Sequence, residues 1–401
     1  MSVTLAADFL NVADPTFSIR SQEVRNARER NWYARTPYGL AILRYAEVNA
    51  LIKDTRLRQG SYAWPAHNGV TDGAFKLWWD NILLNKEGAD HVRLRKLIMA
   101  AFSPKLLKGL TPRFEALANE LLDGFIDTGR CEFMGDFSEP YATRVICMLL
   151  GTRDADWRMI ANWATQMGMA LGVNYKRDQK VVDTATQALM DYSRELIRER
   201  RIKPGEDFLT QLVQASDKDG ALSDAELLDI IVLAIFGGID TTRNQLGLGV
   251  QMFIEHPDQW DLLAKQPELS AQAVEEVMRT RPTVTWVTRE AVENFEFQGL
   301  NIKAGTTVHL FSESAGSDPR MVENPGFDIA ARRPLHFGFG MGGHHCLGHA
   351  VARSDMAVVL RVWPVRVTAL ANDGPGQWLP DSGNTGPLSL PITFQRRGGV
   401  A

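Results

Sequence analysis

Apolar residues recur every three or four positions along much of this chain, which is the spacing of helices. Residues 104–126 form one such segment, and Gly129 just after it predicts where the helix ends. A capping box formed by Ser223 and Glu226 predicts the start of a longer helix, which His256-Pro257 should end. Because residues 230–239 are apolar on every side, we expect this helix to run through the core.

The pattern differs in the flanking parts of the chain. Short strands are predicted at residues 40–44, 284–287, 295–297 and 306–311, with helices at 47–53 and 268–279. Residues 61–85 carry Trp, Phe and Gly without a clear period and suggest irregular structure, and a last helix should run from about Cys346 to just before Pro364. We therefore expect a mainly α fold with a small β region. Since no linker is evident, we expect a single domain over residues 1–401.

Composition and charge narrow the class of protein. The 401 residues are 45% hydrophobic and carry 44 basic against 48 acidic side chains, which excludes a wholly disordered or collagen-like chain. A net charge of -4 gives no general attraction to nucleic acid or to anionic membranes. The three cysteines do not make a disulfide framework and fit a reducing compartment. Residues 1–20 lack the features of a signal peptide and the longest apolar run is too short to span a bilayer, so a cytoplasmic protein is expected.

The densest chemical signal is the segment Phe339-Gly-Met-Gly-Gly-His-His-Cys346-Leu-Gly348. Glycines let backbone approach a flat ligand closely. A cysteine at a helix start is stabilised as a thiolate, which is what a sulfur ligand of haem iron requires. Two alternatives stay open at this point. One is a buried free cysteine, and the other is a zinc or copper cluster of His344, His345, Cys346 and His349, whose adjacent side chains would chelate poorly.

A second signal lies inside the long helix. Gly237 and Gly238 each cost about 1 kcal/mol relative to alanine at a mid-helix position, so something is expected to pack against the backbone there. Asp240 and Thr241 follow them in an apolar setting, where an acid and a hydroxyl can relay protons. The alternative is a helix kink in which the hydroxyl bonds to the preceding turn.

Two charged pairs are weak signals in isolation. Glu276 and Arg279 share a helix face at i, i+3, and such a pair is also common on exposed surfaces. His91 and Arg95, at i, i+4, are spaced to grip an anion together.

Taken together, these four signals resemble the cytochrome P-450 family of haem-thiolate monooxygenases in its soluble bacterial form. The cysteine segment matches the family pattern Phe-Gly-x-Gly-x-His-x-Cys-x-Gly at every specified position, and Glu276 and Arg279 match its Glu-x-x-Arg. Residues 237–242 resemble its oxygen-activation segment, with Gly237 where alanine is usual. The resemblance covers residues 35–395. Two departures are residues 315–319, Ala-Gly-Ser-Asp-Pro in place of Ala-Asn-Arg-Asp-Pro, and a short segment at 327–339.

The resemblance implies a haem b cofactor and a role for each matching residue. Cys346 would be the axial thiolate on iron, Asp240 and Thr241 would deliver protons to bound dioxygen, and Glu276 and Arg279 would be structural. The haem propionates would be held by His91, Arg95, Arg289 and His344. The remaining residues implied at the cofactor are Gly238, Phe339, Gly340 and Gly348.

The implied activity is insertion of one atom of dioxygen into a small, largely apolar organic substrate. No nicotinamide or flavin fingerprint is present, so electrons should come from another protein, by resemblance a ferredoxin with its reductase. A basic docking face is a candidate, with a solvated surface as the alternative; its members are Arg93, Lys96, Lys105, Lys108 and Arg113. Two other functions stay open, a peroxide-driven oxygenase and a non-catalytic haem-binding or gas-sensing protein.

Terpenoid, steroid, polyketide and aromatic substrates all stay open at this point. Candidate pocket residues are Trp64, Phe75, Trp78, Trp79, Leu233, Phe236, Gly237, Val284, Thr285, Pro387 and Leu388. They suggest an apolar, partly aromatic pocket. The alternative is that the aromatic residues among them belong to the core.

Overall fold

Helices make up most of the computed structural model, which describes residues 7–172, 174–219, 222–381 and 383–398. The helices of the first half are α1 (Gln22–Arg30), α2 (Tyr45–Leu51), α3 (Trp64–His67), α4 (Ala74–Asn81), α5 (Gly88–Ala101), α6 (Pro104–Asp123), α7 (Glu139–Leu150), α8 (Trp157–Gly168) and α9 (Tyr175–Ile202). Those of the second half are α10 (Phe208–Asp219), α11 (Asp224–Glu255), α12 (Pro257–Lys265), α13 (Ser270–Thr280), α14 (Ser312–Gly316) and α15 (His349–Arg366). The expected mainly α fold is confirmed.

The strands form small sheets around this helical body. They are β1 (Tyr33–Thr36), β2 (Gly39–Ile42), β3 (Leu57–Gln59), β4 (Arg130–Glu132), β5 (Trp286–Ala291), β6 (Phe295–Phe297), β7 (Leu300–Ile302), β8 (Thr307–Phe311), β9 (Val367–Asn372), β10 (Gln377–Trp378), β11 (Pro387–Ser389) and β12 (Pro391–Arg396). The largest sheet has the order β1-β2-β8-β5-β3, with β2 and β8 parallel and the other pairs antiparallel. Its β3–β5 pair sets Gln59 opposite Arg289, a pairing that matters for the site below.

The long central helix α11 forms as its sequence predicts. Ser223 Oγ accepts from the backbone N–H of Glu226 at 3.2 Å, and the Glu226 carboxylate accepts from the N–H of Ser223 at 2.8 Å, so both halves of the capping box are present. The helix is continuous through Gly237 and Gly238 and ends at His256. Most of its side chains are buried against α7, α8 and α9, which confirms its place in the core.

Two predictions of secondary structure were wrong. Residues 61–85 are not irregular, because they contain α3 and α4, and their aromatic rings supply the buried contacts that favour helix. The last helix does not stop before Pro364 but runs through it to Arg366. A proline has no N–H and its ring crowds the preceding turn. Pro364 lies in the last turn, however, where the Leu360 carbonyl is the one that loses an intrahelical partner. Trp363 and Pro364 are also buried, which favours keeping the turn.

Helix α11 holds Asp240 and Thr241 and the loop before α15 holds Cys346, while α5 and α13 hold the two charged pairs that the sequence singled out. Around them, one continuous apolar core joins α4 to α13 with α15, and the sheet packs through clusters of its own. In the part of the chain that the structure describes, no helix combines the length and apolarity needed to cross a bilayer.

Candidate functional site

The cysteine loop is shaped by glycines in the left-handed backbone region. Gly340 has φ 64° and Gly342 has φ 70°, values that strain residues with a side chain. The loop closes when the backbone N–H of Cys346 donates to the carbonyl of Phe339 at 2.9 Å. Cys346 is thereby presented just before the first turn of α15, with its side chain accessible, whereas Cys131 and Cys147 are buried.

Two opposing effects act on the pKa of the Cys346 thiol. Although the residue is accessible to solvent, protein atoms crowd its sulfur, and this desolvation raises the pKa of the thiol. The backbone N–H groups of Gly348 and His349 and the charges of Arg95 and Arg353 act in the other direction and favour the thiolate. N–H groups at a helix start are what an anionic sulfur needs.

Arg95, which lies near this sulfur, and Arg289, which lies near His344, form no ion pair with a carboxylate among the described residues. Arg289 is 3% exposed, and its guanidinium donates to Gln59 Oε1 at 3.0 Å and to the Thr288 carbonyl at 3.1 Å. Burial lowers the pKa of Arg289 to about 10. Burial also lowers the pKa of Arg95, which makes no hydrogen bond or ion pair with any residue that the structure describes. A buried guanidinium hydrogen-bonded only to neutral groups, as in Arg289, and a half-buried one without such a partner, as in Arg95, are suited to an anionic ligand.

Two histidines complete the cluster. The rings of His91 and His344 lie 4.2 Å apart between centroids, and His344 Nε2 lies 3.1 Å from Glu87 Oε1. Desolvation, together with the neighbouring His344 and Arg95, lowers the pKa of His91 to about 4, so this ring is a neutral hydrogen-bonding group near pH 7. Glu87 is the acid that faces both histidines.

This set of groups fits a haem. A sulfur at a helix start suits an axial iron ligand, and the nearby arginines and histidines suit the two carboxylates on the porphyrin edge. The alternative of a zinc or copper cluster has less structural support. Within the described ranges, no group of three or more His, Cys, Asp or Glu side chains is placed to hold a metal ion.

Helix α11 has one partly open face in an otherwise buried environment. The half-buried positions of its middle part are Leu233, Ala234, Gly237, Gly238, Asp240 and Thr241. The two glycines differ. A Cβ at Gly237 would meet no heavy atom within 4 Å, whereas one at Gly238 would lie 2.5 Å from Ile146. Gly238 was expected at the cofactor, but its lack of a side chain is explained by its close packing against Ile146. Gly237 is the glycine that leaves open space beside the helix.

Asp240 and Thr241 are each held by specific bonds. Asp240 Oδ1 accepts from Arg243 at 2.9 Å, and Oδ2 lies 3.3 Å from the amide nitrogens of both Asn244 and Asn384. Arg243 also pairs at 3.2 Å with Glu139, whose side chain is 34% exposed, so a chain of charges leads from the helix face to the surface. Thr241 Oγ1 donates to the Gly237 carbonyl at 2.6 Å. The helix is continuous through these residues, and the back-bonding hydroxyl that the alternative expected is present.

Glu276 and Arg279 form a buried pair. Their side chains are 2% and 1% exposed and are joined by bonds of 2.7 and 2.6 Å. Arg279 also donates to the carbonyls of Gly316, Pro325 and Gly326 at 2.8 to 3.0 Å. The pair thus ties α13 to α14 and to the segment that leads to the cysteine loop. The alternative of an exposed ion pair is excluded.

The residues expected to line a substrate pocket divide by burial. The half-buried or exposed candidates are Trp64, Leu233, Gly237, Val284 and Leu388. The buried candidates are Phe75, Trp78, Trp79, Phe236, Thr285 and Pro387. The buried aromatic rings pack on one another at centroid distances of 5.4 to 6.2 Å. Thr285 donates its hydroxyl to the Gly383 carbonyl at 2.8 Å. In this structure all six are therefore buried, and the aromatic residues among them pack together as one cluster.

Sequence reasoning missed several residues that complete the site. They are Gln59, Glu87, Arg243, Asn384 and Arg333, the last of which donates to Glu276 Oε1 at 3.3 Å. Most of them lie far along the chain from their partners, so no local motif reveals them. The exception is Arg243, whose i+3 spacing from Asp240 was visible in the sequence.

Comparisons with known proteins extend along most of the chain. A family model described as "Cytochrome P450" matches residues 130–362. The chain is 35% identical to luteothin monooxygenase of Streptomyces thioluteus over 390 residues, 96% of both proteins. It is 30% identical to the polyketide biosynthesis cytochrome P450 PksS of Bacillus subtilis over 94% of each. The crystal structure of CalO2 superposes with a TM-score of 0.86 at 28% identity, covering 96% of this chain and all of the other.

Proposed function

The chain belongs to the cytochrome P450 family of monooxygenases, and from this premise we propose that it oxidises a largely apolar secondary metabolite with electrons from a ferredoxin. The observation that carries the proposal is an accessible Cys346 at a helix start near Arg95, together with the absence of an ion pair from Arg95 and Arg289 to any carboxylate of the described residues. We extend the proposal to residues 1–401 as one domain.

The family implies a haem-thiolate cofactor, and the residues present fit it. When bound, the haem supplies the activation of dioxygen and the transfer of one oxygen atom to the substrate. Cys346 would hold the iron through its sulfur, which the N–H groups of Gly348 and His349 support as a thiolate. Arg95, Arg289, His91 and His344 would bind the propionates. Phe339 and Gly340 would shape the loop around the sulfur.

Asp240 and Thr241 would hold and transfer protons at the open face of α11. The hydroxyl proton of Thr241 is committed to the Gly237 carbonyl, so Oγ1 is free to accept a hydrogen bond from a water or a ligand. Asp240 Oδ1 accepts a hydrogen bond from Arg243, and the same arginine pairs with Glu139, which reaches the surface. Protons from solvent would therefore be taken up and released by the carboxylates of Glu139 and Asp240, which Arg243 would hold in position without giving up a proton of its own.

The substrate proposal rests on the pocket and on one relative. Leu233, Gly237 and Val284 present small or apolar surface, and a pocket of that kind favours an apolar molecule. PksS is named for polyketide biosynthesis, and we extend that substrate class to this chain.

The electron donor would dock on α5 and α6. Lys96, Lys105, Lys108 and Arg113 are exposed there, whereas Arg93 is engaged with Glu226. A cluster of exposed cations attracts an acidic partner and raises its rate of association. Lys105→Glu should therefore raise the KM for ferredoxin, more so at low salt, while Lys176→Glu on α9, also exposed, should not.

The experiment that tests the proposed function combines a spectrum with turnover. The reduced protein should give the carbon monoxide difference spectrum of a thiolate-ligated haem and should oxidise an apolar polyketide only when ferredoxin and its reductase are supplied. A spectrum of imidazole ligation would contradict the proposal, and turnover supported by peroxide alone would favour the peroxide-driven alternative.

Thr241→Ala tests the proton step in the same assay. The variant should fold and consume electrons, yet form less product and more hydrogen peroxide per electron. If product per electron is unchanged, the Thr241 hydroxyl serves the helix alone.

A further inference from the structure

Two hydrogen-bond donors lie buried without partners in the aromatic cluster beside α11. The hydroxyl of Tyr175 and the indole Nε1–H of Trp78 have no hydrogen-bond partner in the described ranges. Tyr175 is 0% exposed and Trp78 is 2% exposed. Nearly all buried polar groups in proteins are paired, and leaving a donor unpaired destabilises the fold. Two such donors in one place require an explanation.

Both donors belong to the same cluster of rings. The Phe75 ring lies 5.4 Å from Trp78 and 5.5 Å from Tyr175, and Phe236 of α11 lies 5.5 Å from Trp78. Phe236 directly precedes Gly237, which faces open space. Phe236 therefore connects the ring cluster that carries both donors to the glycine at the open face of α11, directly for Trp78 and through Phe75 for Tyr175.

The chemistry of these groups defines what would satisfy them. An indole N–H can only donate, so its partner must be an acceptor, and a carbonyl oxygen accepts two hydrogen bonds. The rings of Phe75 and Phe236 favour flat, apolar surfaces. An aromatic ketone, or another flat molecule with a carbonyl oxygen, has both features.

We propose that Tyr175 and Trp78 form a subsite that receives the carbonyl oxygen of a flat substrate when the Phe75 and Phe236 rings separate to admit it. The proposal rests on the proposed function, because it takes the open face of α11 to be a wall of the substrate pocket. A site of this kind rejects an analogue without the oxygen, since that analogue leaves both donors unpaired.

Binding of two matched probes to the haem-loaded protein tests the subsite. Benzophenone and diphenylmethane share two phenyl rings and differ in a carbonyl against a methylene group. Calorimetry should show that the wild type binds benzophenone roughly tenfold more tightly. Tyr175→Phe and Trp78→Phe should each reduce this preference and leave the affinity for diphenylmethane unchanged.

The chain offers a matched control for each variant. The buried Tyr141 hydroxyl donates to the Asp355 carbonyl, and the buried Trp260 Nε1–H donates to the Val367 carbonyl, both at 3.0 Å. Tyr141→Phe and Trp260→Phe should keep the preference for benzophenone. Tyr141→Phe should also lower the melting temperature because it removes a bond that the fold uses, whereas Tyr175→Phe should not.

Three results would overturn the subsite. The first is a wild type without preference, whether both probes bind equally or neither binds. The second is a preference that survives in Tyr175→Phe and Trp78→Phe. The third is a loss of melting temperature in Tyr175→Phe as large as in Tyr141→Phe, because the hydroxyl would then have a structural partner such as a trapped water. A carbon monoxide spectrum without the thiolate signature would refute the proposed function alone, since the calorimetric preference does not depend on it.

Discussion

Removal of the Glu276 carboxylate should cost most of the stability of the protein. Arg279 is 1% exposed and would keep only three backbone carbonyls as partners, so its charge would be uncompensated in the interior. Breaking a buried pair in this way costs about 3–5 kcal/mol, and the loss of the Arg333 contact adds to it. Against a typical total of about 5–15 kcal/mol, Glu276→Ala should yield little folded haem protein.

Denaturant unfolding, followed by tryptophan fluorescence and haem absorbance, measures this effect. Glu276→Gln keeps one of the two acceptor oxygens without the charge and should be less destabilised than Glu276→Ala, so a value is obtained even where the alanine variant fails to fold. The matched control is Glu255→Ala, which breaks the more exposed pair with Arg281 and should cost at most about 1 kcal/mol. A Glu276→Ala protein within 1 kcal/mol of wild type would refute the reasoning.

The remaining predictions concern the cofactor and the central helix. Cys346→Ala should lose the thiolate spectrum and monooxygenase activity, while Cys147→Ser, at a buried position, should keep both; an unchanged spectrum in Cys346→Ala would end the haem-thiolate assignment. Gly238→Ala should lower the melting temperature because the added methyl meets Ile146, whereas Gly237→Ala should keep or slightly raise it. Equal melting temperatures for the two variants would show that α11 and α7 can shift apart freely.

The parts of the fold that local chemistry dictates could be predicted from the sequence. The capping box at Ser223 and the stop at His256 set the bounds of α11 because their signals lie in adjacent residues. Residues 61–85 could not be predicted in this way, since α3 and α4 are short and depend on tertiary contacts of their rings. The helical turn at Pro364 likewise depends on the burial of Trp363 and Pro364, because the intrinsic preference of proline is against a helix.

The residues of the site divide in the same way, into those that local motifs predict and those that meet only through long-range contacts. Motif spacing identified Cys346, the Glu276–Arg279 pair and the acid Asp240, and the structure places the pair in the interior as the family resemblance implied. Gln59, Glu87 and Asn384 were missed because each meets its partner across a long stretch of chain, as Gln59 meets Arg289 through the β3–β5 register. A single sequence carries no local sign of such contacts.

The open face of α11 also bears on how this enzyme can acquire new substrates. Leu233, Gly237 and Thr241 follow one another at one-turn intervals, so the face extends about 12 Å along the helix. Most of their neighbours on the same helix are closely packed, and a mutation there unsettles the core. A side chain added at residue 237, where a Cβ meets no heavy atom within 4 Å, would narrow the proposed pocket while leaving that packing intact, whereas Leu233 packs against the core. Under directed evolution, selectivity should therefore change first at residue 237, and libraries confined to it should retain an unusually high share of folded variants.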